Sequence, residues 1–288
     1  MARAAGVGPL PYRVAEIQRR KAGRFRRRSL AIGTNGTNGA DHWLTNKLLA
    51  RLPEEDRSRL HDQLVPHFLR LKTVLFEPGE VVDGVYFPLD GVVSLVAPME
   101  DGNIVEVATV GNEGVVGVPT VLGGSLRVRA ISQVAGRALA MPTTAFLHEI
   151  STCPPLARLV QSYVLALFGQ ISQAAACNRL HSTEERLSRW LLMSHDRVGK
   201  DEFPITQEFL GQMLGARRAT VTLSAGLLQR AGLIRYHRGH VEILDRAGLE
   251  AASCECYQVI KDELAAVDSR AFGDRDLRQR ESSRAGAG

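Results

Sequence analysis

The sequence predicts an α+β protein in which a small β barrel or jelly roll precedes one long helix, two short helices and a β-hairpin. Three observations support this prediction. Short β-branched runs, cut by glycine and proline, fill residues 72–142. Apolar side chains recur at helical spacing through residues 153–181. Residues 205–244 contain two amphipathic stretches with helical spacing and a glycine between them, followed by two short segments in which apolar and polar residues alternate as in β-strands.

Composition places the chain among folded proteins without a membrane span. It has 288 residues, of which 44% are hydrophobic and 23% charged, enough for two domains of ordinary size. No run of about 18 apolar residues occurs, and we identify no signal-peptide core. The cysteines form no CxxC pair, which predicts a reduced, cytoplasmic protein. They are Cys153, Cys177, Cys254 and Cys256.

The basic charge of the chain is unevenly distributed. The formal net charge is +5, residues 1–30 contribute +8, and the rest therefore carries −3. The more informative block is 217–240, which contains five arginines and no acid. Such a local basic face is typical of a phosphate-binding surface, although an isolated charge run is more often an ordinary solvated face.

The N-terminal half begins with a segment of low complexity. Residues 1–40 are arginine-rich and end near "GTNGTNGAD", so we expect a disordered basic extension, or a stretch that precedes the true start codon. Folding is expected to begin near Trp43 with a short amphipathic helix. Asp101-Gly102 lies between two apolar runs and predicts a hairpin. Closely spaced short strands favour a barrel or jelly roll over a βαβ unit.

The long helix is predicted at residues 153–181. Two prolines in its first turn suit a cap at Ser151 or Thr152. One apolar stripe is spaced alternately by four and three residues, as in a coiled-coil seam, and predicts a homodimer; an ordinary core helix is the alternative. A second stripe, including Tyr163, is expected to face the β domain. The predicted dimer seam comprises Val160, Val164, Leu167, Ile171, Ala174 and Asn178.

Residues 182–250 predict a helix-turn-helix unit with a wing. Ser182 and Glu185 form a capping-box pattern, and Thr206 can cap a short helix. Gly215 permits the left-handed turn into a second helix, and a hairpin follows around Arg238-Gly239. Among the inward-facing residues of the second helix we expect Val221, Ala225 and Leu228, with Ser224 on or near the outward face.

The basic, hydroxyl-rich outer face of this unit predicts DNA binding. The second helix of such a unit enters the major groove, where arginine can bind guanine bidentately. Hydroxyls, backbone N–H groups and wing arginines bind phosphates. The alternative is a ligand-sensing module whose C-terminal domain docks onto a partner without reading DNA. The predicted contacts with double-stranded DNA are Thr206, Gln207, Arg217, Arg218, Thr220, Thr222, Arg235, His237 and Arg238.

Residues 44–250 resemble the Crp/Fnr family of bacterial transcription regulators. The stretch "LFEPGEVVDGVYFPLDGVVSLV" is similar to the family's cyclic-nucleotide-binding roll, and "ITQEFLGQMLGARRATVTLSAGLLQRAGLI" to its winged helix. The resemblance implies a double-stranded β-helix or jelly-roll effector domain at 41–152, a dimerisation helix at 153–181 and a winged helix-turn-helix domain at 182–250. It also implies a homodimer on an inverted-repeat operator, with RNA polymerase as a partner. Residues 251–288 are expected to form a C-terminal helix and a disordered tail.

Departures from the family pattern concern the effector. Nucleotide-binding members hold the phosphate with a glutamate and with an arginine that precedes Ser/Thr-Ala. Here Val118 stands near the glutamate position, and Arg129 is followed by Ala-Ile. We therefore expect an unknown small-molecule effector or a fixed scaffold, and weak binding of cyclic AMP at best. The candidate pocket residues are Glu113, Val118, Arg127 and Arg129.

Two further departures from the family pattern concern the recognition helix and the cysteines. Arg218 matches a base-contacting arginine of the family, whereas Ala219 and Leu223 replace its other two readers, so the operator is expected to differ. The N-terminal cysteine cluster of iron–sulfur members is missing from this sequence.

The sequence predicts no catalytic residue, no cofactor and no metal site. Its histidines are scattered without nucleophile–base or metal-ligand spacing, so we do not expect an enzyme. Cys254 and Cys256 in "SCECY" suggest a thiol or metal pair, but two ligands are too few for structural zinc. We therefore interpret this pair as structural or incidental.

Overall fold

The computed structural model describes residues 42–273. The predicted disordered extension at 1–40 lies outside the described residues, as does most of the predicted disordered tail.

The first domain is a roll of two antiparallel sheets, which confirms the predicted jelly-roll class. One sheet has the order β1-β7-β3 and the other β2-β6-β4-β5. The turn at Asp101-Gly102 joins β4 to β5, and Gly102 has a φ of 84°. All five residues of β3 are buried, since this strand lies between the core and neighbouring segments. The strands are β1 Val65–Leu69, β2 Val74–Phe76, β3 Gly84–Pro88, β4 Val92–Pro98, β5 Ile104–Val110, β6 Arg129–Val134 and β7 Gly136–Pro142.

Helices at both ends of the roll differ from the sequence expectation. The single N-terminal helix is interrupted at Pro53, which divides it into α1 (Lys47–Ala50) and α2 (Glu54–His61). Residues after β7 form an unexpected helix, α3 (Thr143–Thr152). The long helix therefore begins after Cys153, and neither Ser151 nor Thr152 caps it, because both belong to α3.

The long helix α4 spans Pro154–Leu180, close to the predicted bounds, and Tyr163 of its second stripe packs in the roll core as expected, whereas the predicted dimer seam is largely covered within the protomer. Val160, Leu167 and Ala174 of the predicted dimer seam are buried within the protomer. Val164 and Ile171 pack against the same roll core, and Asn178 is exposed. The roll already covers most of this seam. The solvent-exposed face of α4 therefore consists of the residues that directly follow the predicted seam residues in the sequence. It comprises Gln161, Leu165, Phe168, Ser172, Ala175 and Arg179.

The C-terminal half forms the predicted winged helix-turn-helix domain. Ser182 and Glu185 make a complete capping box at the start of the first helix. Three strands form the wing sheet in the order β8-β10-β9. The elements are α5 Thr183–Val198, β8 Glu202–Pro204, α6 Gln207–Leu214, α7 Arg218–Arg230, β9 Ile234–His237, β10 His240–Ile243, α8 Arg246–Ala251 and α9 Cys256–Ala265.

The two halves pack against each other at several points. Val96 of β4 lies in the apolar core of the C-terminal domain. After α9 the chain returns to the roll, where residues 267–273 are helical and Val267 and Phe272 join the first core. Ser162 donates a hydrogen bond to the carbonyl oxygen of Val267 at 2.9 Å. The first core is therefore completed by residues that follow the winged helix domain in sequence.

Candidate nucleic-acid interface

The turn between α6 and α7 has the geometry that the sequence predicted. The Thr206 hydroxyl accepts a hydrogen bond from the backbone N–H of Phe209 at 3.2 Å and caps α6. Gly215 ends this helix with a φ of 57°, in the left-handed region that favours glycine. Gly211 accepts a hydrogen bond from Ala216 N at 2.9 Å, and a side chain there would crowd the Ala216 carbonyl oxygen. The two helices therefore meet at a close crossing.

Helix α7 presents its basic N-terminal turn to solvent. Arg217, Arg218 and Thr220 are exposed, as is Leu223, whose exposed fraction is 69%. Val221, Ala225 and Leu228 are buried, as predicted. Ser224 was expected on or near the outward face, but it is 5% exposed. It lies three residues after Val221 and next to Ala225, so it belongs to the buried face of the helix.

Thr222 links the two helices. Its hydroxyl lies 2.8 Å from the side-chain oxygen of Gln207 and 2.9 Å from the carbonyl oxygen of Arg218. A hydroxyl has only one hydrogen, so either contact occupies the donor that a phosphate would need. Thr222 and Gln207 therefore hold α7 against α6, whereas Thr206 keeps its own hydrogen available because it acts as an acceptor in the cap.

The wing places a cation beside the start of α6. Arg238 and Gly239 form its two-residue turn with φ of 46° and 80°, the positive pair that a type I′ hairpin requires. Ile205 N donates to the carbonyl oxygen of Gly239 at 2.7 Å, so this turn lies next to Thr206. His237 is exposed.

The arginines among the predicted DNA contacts differ in whether they pair with an acid. Arg235 pairs with Glu242 at 2.5 Å across the wing, which offsets part of its charge. Within residues 42–273, Arg217, Arg218 and Arg238 form no ion pair with an acid at 4.0 Å or less. These three arginines therefore carry the net positive charge of the surface.

Comparison with known proteins identifies both halves. Residues 185–252 match the family model of the Crp-like helix-turn-helix domain, and residues 66–153 that of the cyclic nucleotide-binding domain. The chain belongs to the Crp/Fnr family of transcriptional regulators. It has a helix-turn-helix DNA-binding domain and a cyclic-nucleotide-binding-type effector domain, and regulators of this family bind DNA and act as dimers.

Individual Crp/Fnr relatives are distant in sequence. The transcriptional regulator SdrP of Thermus thermophilus is 27% identical over 191 residues, which are 62% of this chain and 93% of SdrP. The global nitrogen regulator of Synechococcus elongatus is 24% identical over 215 residues, 71% of this chain and 96% of that protein. FixK2 of Bradyrhizobium japonicum shares the fold with a TM-score of 0.58 at 16% identity, over 66% of this chain and 98% of FixK2.

The effector domain leaves little room inside its roll. Arg129 forms an ion pair with Glu77 at 2.8 Å, Arg127 is exposed, and Val118 is buried at 5% exposure. The cavity lined by Val118 is apolar throughout and has a volume of about 20 Å³. Ligand sites usually have several hundred Å³. Of the four predicted pocket residues, only Val118 therefore lines this cavity.

A larger cleft lies between the roll, α5 and α9. Its volume is about 360 Å³, which falls within the range of small-molecule sites. Both cations and anions line it, among them Lys47, Glu113, Asp196, Arg197 and Lys261. No helix among residues 42–273 is long and apolar enough to cross a membrane.

Glu113, predicted as a pocket residue, lines this cleft and also joins the two domains. Its carboxylate accepts hydrogen bonds from Arg197 Nε at 2.9 Å and from Gly111 N at 3.1 Å. Arg197, on α5, is only 4% exposed at its side chain, and it also donates to Met193 O and Thr109 O. A Cβ on Gly111 would lie 2.4 Å from Arg197 Cγ, so only glycine leaves space for the arginine. This ion pair holds α5 against the roll.

A second polar contact couples the same elements. Trp190 Nε1 donates to Glu106 at 3.0 Å, and Ser94 donates to its other carboxylate oxygen at 2.6 Å. Burial raises the pKa of Glu106 to about 7, although both hydrogen bonds and the nearby arginines oppose this effect. The contact between β5 and α5 therefore contains a group that titrates near neutral pH.

The sequence analysis missed a side-chain cluster that contains Cys254 and Cys256. The structure brings Cys177 and His181, at the end of α4, next to them. A hydrogen bond from Cys254 lowers the pKa of the Cys177 thiol. The i, i+4 spacing of Cys177 and His181 on a helix was the available signal. It is weak, because the second half of the cluster lies 77 positions away from Cys177.

Proposed function

We propose that this protein is a homodimeric, sequence-specific regulator that reads an inverted-repeat operator with α7 in the major groove. The observation that carries the proposal is the exposed, acid-free N-terminal turn of α7, with Arg217 and Arg218 directly after the Gly215 turn. In helix-turn-helix proteins this end of the second helix contacts base edges. A docking-only module has no need for such a concentration of unpaired cations.

Each exposed residue of this surface has a proposed role. Arg218 contacts a guanine edge, and Leu223 offers an apolar contact to a thymine methyl group. Arg217, Thr220 and Thr206 bind phosphates, which fix the register without reading sequence. The wing adds Arg238 and His237, while Arg235 contributes less because of its pairing with Glu242.

The proposed dimer uses the exposed stripe of α4. Leu165 is 56% exposed and Phe168 is 66% exposed, and their neighbours on this face repeat at alternating spacings of three and four. Two such stripes pack as a coiled coil. A two-fold dimer then places its recognition helices about 34–36 Å apart, one helical turn of DNA.

The roll is proposed to act as a scaffold for this arrangement, with cyclic nucleotides bound weakly at best. The pairing of Arg129 with Glu77 and the filled interior support this view. A regulatory rather than enzymatic role, a cytoplasmic location and RNA polymerase as a further partner belong to the same proposal, since a promoter-bound regulator acts on polymerase.

The test compares two arginines on the same helix. Genomic fragments bound by the purified protein define the operator, and fluorescence anisotropy measures the affinity of variants for it. Arg218→Ala should weaken binding by about 5- to 150-fold and relax one base position, as lost bidentate contacts do. Arg230→Ala is the control, because Arg230 is exposed on α7 about 18 Å further along the axis. Equal effects of the two substitutions would refute the proposed orientation of α7.

A further inference from the structure

The cluster at the end of α4 is compact and largely buried. Cys177, Cys254 and Cys256 are 0%, 4% and 0% exposed, and together they form a small core of their own. Each offers its sulfur, and His181 offers a ring nitrogen. These four atoms all lie within 4.8 Å of one another. Four soft or borderline donors at one point are a recognisable ligand set for a transition metal.

Two of the distances between these atoms are close to those of tetrahedral coordination. Zn–S bonds of about 2.3 Å and Zn–N bonds of about 2.0 Å place neighbouring ligand atoms roughly 3.5–3.8 Å apart. Cys177 Sγ lies 3.5 Å from Cys254 Sγ, and Cys256 Sγ lies 3.4 Å from His181 Nδ1. We propose that Cys177, His181, Cys254 and Cys256 bind one zinc ion in a closed Cys₃His site.

The surroundings of His181 support the assignment. Its Nδ1 faces Cys256, and its Nε2 lies 3.2 Å from the carboxylate of Glu255. Metal-ligating histidines usually donate their other nitrogen to a carboxylate or carbonyl, which fixes the ring. The side chain of Gln173 donates to Cys256 Sγ at 3.1 Å, as a positioning contact to a thiolate would.

Charge balance supports it independently. Binding displaces three thiol protons, and three thiolates with a divalent ion leave a net negative charge. Two buried arginines of α5 face this region, and each is 8% exposed. Arg189 acts electrostatically on Cys177, and both Cys177 and Cys254 act on Arg186. The Nε atoms of both arginines lack a hydrogen-bond partner among the described residues. An anionic metal–thiolate centre supplies counter-charge to Arg186 and adds to that of Glu106, which also interacts with Arg189.

The position of the site gives it a structural consequence. His181 lies at the break between α4 and α5, and Cys254 follows α8, so the ligands bracket the entire winged helix domain. One ion closes a loop of about 70 residues and fixes both chain ends of that domain to α4. Metal loss is therefore expected to loosen the domain relative to the dimer helix and to lower DNA affinity. That last effect rests on the proposed function, whereas metal binding does not.

Metal content of the full chain is the direct test. Protein purified without chelator should contain about one zinc per protomer by elemental analysis. Chelated wild type should take up one Co²⁺ and show the visible bands of tetrahedral cobalt with thiolate ligands. Wild type that binds neither ion stoichiometrically overturns the proposal, as does a native Cys177–Cys254 disulfide found by mass spectrometry.

Variants separate the site from a general loss of folding. Cys177→Ser and Cys256→Ser should lose most of the metal, whereas Cys153→Ser, which removes another buried thiol far from the cluster, should keep it. Glu255→Gln changes an exposed side chain, so folding is retained, and zinc affinity should fall about 10- to 100-fold. Equal metal content in all four variants would refute these ligands. Zinc binding without DNA binding would leave the site intact and refute only the proposed function.

Discussion

The ion pair between Glu113 and Arg197 is the most sharply testable contact between the two domains. Replacing Glu113 with alanine leaves a guanidinium group that is 4% exposed without its carboxylate. Breaking a buried pair in this way typically costs about 3–5 kcal/mol, because the remaining charge cannot regain its hydration. Arg197 retains its bonds to Met193 O and Thr109 O, so we expect a loss near 3 kcal/mol.

A double-mutant cycle isolates the pairwise part of this loss. Arg197→Met removes the buried cation, and the variant that combines it with Glu113→Ala has no unpaired charge at this position. The combined variant should therefore be less destabilised than the sum of the two single variants, by about 1–3 kcal/mol. Urea unfolding, followed by the fluorescence of Trp190 at the same interface, gives the free energies of unfolding.

The control for this cycle is Glu100→Ala, which removes an exposed carboxylate from the turn between β4 and β5. Its effect should stay within about 0.5 kcal/mol. If Glu113→Ala were as mild as this surface change, or if the losses in the cycle were simply additive, the buried pair would not couple the domains, and the argument from burial would be wrong.

The other predictions concern the proposed dimer face, the titrating carboxylate Glu106 and the glycine beside Arg197. Phe168→Asp should give monomers that are still folded in sedimentation experiments, whereas Leu167→Asp should unfold the roll, because Leu167 is 6% exposed inside the protomer; a dimeric Phe168→Asp protein would place the interface elsewhere. The raised pKa of Glu106, about 7 against 4.5, means that its ionisation costs stability as pH rises from about 4.5 to about 7. Glu106→Gln should remove this loss of stability, which is at most about 3 kcal/mol. Urea unfolding midpoints of the variant and the wild type, compared at pH 5 and pH 8, measure the effect. An unchanged pH dependence in the variant would contradict the role of Glu106. Gly111→Ala should destabilise by roughly 1–3 kcal/mol through the clash with Arg197, measured by thermal unfolding, and a neutral result would show that the arginine can move aside.

The winged helix was predictable because its determinants are local. The Thr206 cap, the Gly215 turn and the Arg238-Gly239 hairpin each act over a few residues, and all three are in place. The exposure of Arg217 and Arg218 on α7 follows from the same local period. Which arginines pair with an acid could be learned only from the structure, because Arg235 and Glu242 lie on different strands of the wing.

The errors concern long-range contacts. On α4, two apolar stripes differ by one residue, and only the packed roll determines that Leu167 is buried while Phe168 is exposed. Glu113 was assigned to a pocket because charges are rare in its region; it lines the cleft beside α5, but its buried ion pair could not be foreseen because Arg197 lies 84 positions away. Cys177 and Cys254 are similarly remote in sequence, so spacing rules for metal ligands could not connect them.

The return of residues 267–272 to the roll has a consequence for synthesis. Leu48 and Phe272 share one core, although about 220 residues separate them, and at roughly 5–20 residues per second the ribosome needs about 10–45 s to translate that interval. From the synthesis of β7 until the end of this interval, the nascent roll lacks Val267 and Phe272 and leaves the apolar groove that they later fill uncovered. A premature stop codon just before position 267 would leave the helix-turn-helix domain encoded in full, and the N-terminal domain would be the one that loses part of its core.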